Sequence, residues 1–244
     1  MKFIQVRHAT CIIELDDMRF LIDPILYKKG IFDPIKDGID QKNPLIDLSF
    51  DESMLENVDT ILLTHLHYDH FDPEILKYNK KNIPVICSIK YKEKLLKFSF
   101  SNVQFLRNKI DINGVEIILT KGKHGSGIIG LYMGKSFGFV IKTKNKNTIY
   151  ITGDTIWCNF VKDVIEKYNP NYIIGFCGSA TINKVHITFN QNDVKNILAA
   201  APNAKLVLNH MDAWNHCILT KEKLRKAITH KNLYIPNDGE TIDI

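Results

Sequence analysis

Thr64-His65-Leu66-His67-Tyr68-Asp69-His70 follows directly on the apolar run Ile61-Leu62-Leu63 and places three histidines and an aspartate in the six positions 65–70. Neutral imidazole and carboxylate are the donors that a borderline cation such as zinc prefers. Side chains of an extended segment alternate with period two, so His65 and His67 point to one side. Asp72-Pro73-Glu74 then predicts a turn into a short helix from Pro73 to about Tyr78, which leaves Asp69 and His70 at the turn to face a second ion. A strand end carrying this density of donors reads as a metal site, against the plainer reading of a solvated polar loop that happens to hold histidines.

N-terminal to this stretch, apolar runs from Lys2 to Asp23 break at Asp16-Asp17 and predict a strand, then a hairpin of Cys11–Leu15 with Arg19–Ile22. The second arm ends in Asp23-Pro24, either a turn-initiating pair or a carboxylate fixed at a strand end to support a site. His8, inside the first strand pattern, reads as a packed or edge histidine. Residues 25–57 are irregular, with Pro34, Gly38 and Pro44 as breakers and Tyr27, Phe32 and Phe50 as aromatics. A connection this long reads as a lid-like segment near the metal site or as a surface excursion.

On the C-terminal side the pattern predicts a strand at Pro84–Ser88, a helix at Lys90–Phe98 and strands around Val103–Phe105 and Val115–Thr120. Gly125, Gly127 and Gly130 match the letters GxGxxG. A dinucleotide fingerprint, however, needs a helix straight after it and an acid about twenty positions on. Phe137–Thr143 reads instead as a strand and no acid stands at that distance, so the stretch reads as a flexible loop whose glycines let His124 approach something closely. Asn147–Thr152 is a further strand and ends in Gly153-Asp154-Thr155. Helices at Phe160–Tyr168, Gln191–Ala200 and Thr220–Thr229, the last with Thr220 as N-cap, alternate with strands at Tyr172–Phe176 and Lys205–Leu208, which closes on Asn209-His210. Alternation without a linker implies a single α/β domain over 1–244.

At 244 residues, 45% hydrophobic and 24% charged, the chain can bury a sizeable core, which excludes disordered and fibrous classes. The formal charge of +5 is mild and its lysines are scattered, so a nucleic-acid partner is not expected, while an anionic small-molecule substrate is slightly favoured. Five cysteines without a CxxC pair argue for a reducing cytoplasm. No signal peptide or membrane span is expected, and the sequence carries no mark of oligomeric state.

The order of these features resembles the metallo-β-lactamase superfamily over essentially the whole chain: HxHxDH after a strand, a lone histidine in a later loop, a strand ending in Gly-Asp-Thr, and a histidine closing a still later strand. The resemblance implies an α/β fold, a four-layer αββα sandwich with a dinuclear site along its sheet edges. It implies that His65, His67 and His124 bind one divalent ion, that Asp69, His70 and His210 bind the other, and that Asp154 bridges them. Zinc is the first expectation for both ions, and the same donors accommodate manganese, iron or nickel. Phe71-Asp72 after His70 and Leu21-Ile22-Asp23-Pro24 look like the DHxD and LxDP segments of the branch holding the ascorbate-phosphate lactonase and N-acyl phosphatidylethanolamine phospholipase D. That likeness moves Asp23 toward a supporting role. His186, followed by Thr188 and a helix, resembles the segment before the last histidine of those enzymes.

The implied activity is hydrolysis of a small ester, lactone or phosphodiester, an anionic one slightly favoured, by a metal-bound hydroxide. Asp69 could both ligate and orient that hydroxide, and leaving-group protonation calls for an acid, with His186 the first candidate and His216 the second. Three rivals stand beside it. One is a thiol hydrolase using Cys158 or Cys217. Another is a di-iron redox protein, whose variants put a glutamate at the position of His67. The third is a metal-binding or regulatory member without catalysis.

Overall fold

Side-chain alternation along two seven-stranded sheets, packed face to face, generates three layers of core. The computed structural model describes residues 1–48, 52–75, 82–98 and 102–244. The first sheet comprises β1 (Lys2–Arg7), β2 (Thr10–Leu15), β3 (Met18–Ile22), β4 (Thr60–Leu63), β5 (Val85–Ser88), β6 (Val103–Leu106) and β16 (Thr241–Asp243), in the order β16-β1-β2-β3-β4-β5-β6. The second comprises β7 (Lys109–Ile112), β8 (Val115–Lys121), β9 (Phe137–Lys142), β10 (Thr148–Ile151), β11 (Tyr172–Phe176), β14 (Lys205–Asn209) and β15 (Leu233–Tyr234), in the order β15-β14-β11-β10-β9-β8-β7. A small hairpin of β12 (Thr181–Ile182) and β13 (Val185–His186) stands apart.

Leu62, Ile86 and Phe20 of the first sheet meet Ile149, Ile151, Ile174 and Val207 of the second in the central layer. Their chain neighbours Ile61, Leu63 and Val85 turn outward onto Phe71, Ile75 and Leu95. On the far side Tyr150, Ile173 and Leu206 turn outward onto Val161, Ile165, Val194 and Ile197 of the helices Asn159–Tyr168 and Gln191–Ala200. Each such aliphatic side chain contributes roughly 1.5–3 kcal/mol by leaving water. The layers are helix, sheet, sheet, helix, the αββα sandwich that the resemblance implies.

Strand direction sets where function can gather. β1 and β3 both run antiparallel to β2, and β3 runs parallel to β4, so the carboxyl ends of β1, β3 and β4 share one edge. β8 and β10 both run antiparallel to β9, and β10, β11 and β14 are parallel, so their carboxyl ends share an edge too. Ligands of open α/β sheets bind beyond such ends.

The structure departs from expectation at residues 127–133, where a helix, Gly127–Met133, replaces the expected loop. Its first turn folds back on Gly125: a Cβ on Gly130 would lie 2.8 Å from the Gly125 carbonyl oxygen, so these glycines serve close backbone packing. The strands β7, β12, β13, β15 and β16 are also additional to expectation, the last four with two or three residues each, too short to show a pattern. Lys90–Phe98 is helical, with 3-10 turns on both sides of Lys92–Leu95. The expected helix at 73–78 lies outside the described residues beyond position 75, as does Phe50.

Candidate metal centre

β4 ends at Leu63, the chain bends at Thr64 and, beyond Leu66, turns, with the amides of His70 and Phe71 both donating to the His67 carbonyl at 3.0 Å. This stretch sets the His65 and His67 rings 4.6 Å apart, and His124, beyond β8, lies 5.4 and 5.2 Å from them. The donor atoms of these three lie within 4.8 Å of one another. The turn delivers Asp69 and His70 to a second group with His210, which follows β14, and with His8, which follows β1. Asp154, beyond β10, stands between the groups. Its Oδ2 is 3.8 Å from His65 Nε2, 3.5 Å from His124 Nε2 and 3.3 Å from His70 Nε2, and its Oδ1 is 3.4 Å from His210 Nε2. All the residues expected as ligands therefore meet at one point.

Their hydrogen bonds assign the tautomers. His70 Nδ1 donates to Asp23 Oδ2 at 2.8 Å, His124 Nδ1 to the Ile187 carbonyl at 2.8 Å, and His210 Nδ1 to the Cys177 carbonyl at 3.3 Å. The Thr64 hydroxyl donates to Asp23 Oδ2 at 2.6 Å, so its oxygen is left to accept from His65 Nδ1 at 3.0 Å. With the proton on Nδ1, His65, His124 and His210 each turn an Nε2 lone pair into the cluster, the orientation that metal-binding histidines receive from their outer partners, and His70, kept charged by its carboxylates, donates Nε2–H to His210 Nε2 at 2.9 Å. Asp23 is the hub on this side, because its Oδ1 also accepts from the Thr64 amide at 2.7 Å.

The donor set fits a cation. His65 Nε2, His124 Nε2 and Asp154 Oδ1 are buried without a hydrogen-bond partner, and each such orphan costs about 1–3 kcal/mol if nothing satisfies it. Burial lowers His67 and His210 to about 4 and His65 well below its ordinary range. Burial opposes charge on His70 as well, yet Asp154, Asp69 and Asp23 outweigh it and push that imidazole well above its usual range. Burial likewise resists ionisation of Asp69 and Asp154, but the imidazoles, His70 first for Asp69 and His210 first for Asp154, hold both well below the usual carboxylate range. Carboxylates thus draw positive charge to the point that a divalent ion would take.

A cavity of about 440 Å³ opens in front of the cluster. His67, Asp69, His124 and Asp154 form its floor, Ile35, Tyr68, Tyr132, Met133, Ile182 and Ile187 its walls, and His216 completes it. Among the described residues no lysine or arginine lines it, so the mild net charge places no cationic side chain there for an anion. A wider depression of about 690 Å³, at the amino ends of β1 and β3, has Glu14, Asp16 and Arg19 in its lining but no clustered metal donors among the described residues.

The irregular segment 25–57 does reach the site. Ile35 lines the cavity, and Phe32 rests on Tyr68 and Trp214 at ring distances of 5.0 and 5.8 Å. Asn215 pins it: its side-chain oxygen accepts from the Ile35 amide at 3.0 Å and from Asn43 Nδ2 at 2.8 Å, and its Nδ2 donates to the Ile35 and Ile39 carbonyls at 2.8 Å. A Cβ on Gly38 would lie 2.3 Å from the Asn215 carbonyl oxygen, so glycine is required for this approach. Through Ile35, the described part of the segment contributes to the cavity wall.

His186 is not brought to the cluster. It is exposed at the end of β13, with Nδ1 3.0 Å from Ser179 Oγ, and Ile187 takes the inward position. Consecutive residues of an extended chain face opposite sides, so one excludes the other. His216, the second candidate, is buried and lines the cavity. Neither cysteine is placed as a nucleophile: burial pushes the Cys217 thiol well up, and Cys158 is not among the cavity-lining residues. Tyr68, Tyr132 and Met133 went unrecognised as cavity walls, because residues from separate segments give no local signal.

Comparisons with known proteins follow the same line. The family described as the beta-lactamase superfamily domain matches residues 19–211. The UPF0173 protein YddR of Bacillus subtilis is 33% identical over 252 residues, which covers 99% of each chain. The crystal structure of a possible metal-dependent hydrolase from Veillonella parvula superposes with a TM-score of 0.93 at 28% identity, covering 100% of this chain and 99% of that one. The isothiocyanate hydrolase from Delia radicum gut bacteria superposes with a TM-score of 0.91 at 29% identity, with the same coverage of 100% and 99%.

Proposed function

The chain belongs to the metallo-β-lactamase superfamily of metal-dependent hydrolases, and from that membership we propose that it uses two divalent ions, zinc first, to hydrolyse small uncharged electrophiles that carry an apolar group. His65, His67 and His124 would hold one ion, Asp69, His70 and His210 the other, and Asp154 would bridge them, in keeping with their two clusters and the position of Asp154 between them. When bound, the ions would supply Lewis-acid charge and acidify water to a pKa of about 7.

The chain's own residues do the rest. Asp69 lines the cavity and is placed to orient the attacking water. His216 lines it too, with Nδ1 buried and unpartnered and the imidazole kept neutral by burial, and in this reading it would take a proton from the attacking water and pass it to the leaving atom. Ile35, Tyr68, Tyr132, Met133, Ile182 and Ile187 bind the apolar group and keep bulk water away.

The apolar wall, with no lysine or arginine among its described residues, is the observation that carries the substrate class. An isothiocyanate, the substrate named for the structural relative, meets it: the molecule is small and uncharged, with an electrophilic carbon beside its organic group. Water adds across its C=N bond, oxygen to carbon and one of its protons to nitrogen by way of His216, and the C–N bond of the resulting thiocarbamic acid then breaks to release the amine and carbonyl sulfide. Uncharged esters and lactones fit the same wall. The likeness to the lactonase and phospholipase D branch rests on Asp23, which holds His70 and Thr64, and on Asp72, which accepts from the Leu26 and Glu74 amides. Both serve the protein's own loops and so express no preference for phosphate.

The test is a panel of benzyl isothiocyanate, an uncharged lactone and bis(p-nitrophenyl) phosphate, with the zinc and manganese forms. Turnover of an uncharged member, abolished in Asp154→Ala, is expected. Turnover confined to the phosphodiester overturns the substrate class, and two bound metals with no turnover of any member favour the non-catalytic rival.

A further inference from the structure

His8 reads from sequence as a packed histidine, but its surroundings ask for more. Its backbone holds φ at 56° and that of His210 at 64°, both in the left-handed region that non-glycine residues seldom occupy. Such strain persists where the surrounding structure fixes it, and it gathers at functional sites. The His8 carbonyl accepts from the His210 amide at 3.0 Å and from Gln5 Nε2 at 2.8 Å, which ties the end of β1 to the end of β14 across the two sheets. The two rings lie 3.7 Å apart between centroids. His8 is fully buried, its Nε2 stands 3.5 Å from Asp69 Oδ2, and neither ring nitrogen has a closed hydrogen bond.

A neutral imidazole has one N–H and one lone pair. Were the lone pair on Nε2, it would face the carboxylate oxygen of Asp69 and repel it. With the proton on Nε2 the pair attracts, and a small rotation closes the bond. The alternative role, a further ligand, lacks the support that four of the five histidines assigned as ligands show. His65, His70, His124 and His210 each have Nδ1 tied to a named acceptor, whereas His8 Nδ1 has none.

We propose that His8 is a positioning residue that donates its Nε2–H to Asp69 and holds that carboxylate toward the second ion. The inference rests on the two-ion reading of the proposed function. Its role explains why a strained, fully buried histidine stands at this strand end when an aliphatic residue would fill the space without an orphaned nitrogen.

Two measurements test it. In the unaltered protein, nitrogen-15 NMR of labelled histidine is expected to find the proton on Nε2 for His8 and on Nδ1 for His65, His70, His124 and His210. A proton on Nδ1 of His8 overturns the proposal. In the second, zinc affinity is measured by chelator competition on the full chain, beside the melting temperature of the metal-free protein. His8→Ala is expected to weaken the second equivalent about 10–100-fold, the usual effect of losing a ligand's outer partner, and to leave the first unchanged. His8→Gln, whose amide N–H can reach the same carboxylate, is expected to recover most of the loss. An unchanged second equivalent in His8→Ala, or His8→Gln binding as weakly as His8→Ala, overturns the proposal. A wild-type protein that takes up only one equivalent overturns the two-ion reading itself, so the two failures are told apart.

Discussion

The two sheets reach the metal centre by different routes. The first gives His65, His67, Asp69 and His70 from a single run of six positions, whereas the second gives His124, Asp154 and His210, each beyond the end of a different strand. Their supports differ as well. Imidazoles of the first sheet are oriented by side chains, His65 by Thr64 and His70 by Asp23, and those of the second by backbone carbonyls, Ile187 for His124 and Cys177 for His210. A compact motif can carry its scaffolding in neighbouring side chains. Scattered residues depend on the fold to present a carbonyl at the right place, so a substitution can strip support from the first half and not, in one step, from the second.

The largest expected effect is at the residue between the halves. Asp154→Ala is expected to lose both metal equivalents and all detectable turnover, and His67→Ala to lose metal from its own half with activity, both by elemental analysis and assay. Next comes the cavity: His216→Gln is expected to lower turnover about 100-fold, a typical contribution of a general acid, with metal content intact. His186→Gln is expected to change neither, and equal effects at the two positions would remove His216 from the mechanism.

Asp23→Ala tests the contrast in support directly. It is expected to weaken metal binding about 10–100-fold, with the loss concentrated at the second ion through His70. No change in affinity would show that the side-chain scaffold is dispensable. Met133→Lys is expected to raise KM for an uncharged substrate several-fold while metal content stays at the wild-type level, as measured by steady-state kinetics. The smallest effect lies far from the site. Asn190 caps the helix Gln191–Ala200 through the amides of Asn192 and Asp193, and Asn190→Ala is expected to cost about 1 kcal/mol in denaturant unfolding with no effect on metal affinity.

Legibility in the sequence follows the same division. The motif at 64–70 was readable because its residues share one strand end, and the long strands and helices because their apolar periods are local. His124, Asp154 and His210 were placed only through the order of features along the chain, since nothing local distinguishes His124 or His210 from an ordinary loop histidine. The expectation for His186 failed on a single step of strand alternation, which the sequence does not settle in a hairpin as short as β12–β13. His8 carries no local mark either, for its partner Asp69 lies far along the chain and approaches it only when β1 to β4 pair in the first sheet. The cavity walls come from residues near 35, 68, 132 and 187, and only the tertiary fold brings these together.

The central claim is that residues from both sheets hold two ions, with Asp154 joining the halves. Metal content per chain, measured by elemental analysis after loading and removal of excess zinc, tests it most directly in wild type and in Asp154→Ala. Two equivalents in the first and fewer than one in the second are expected, whereas retention of both by Asp154→Ala would contradict the account.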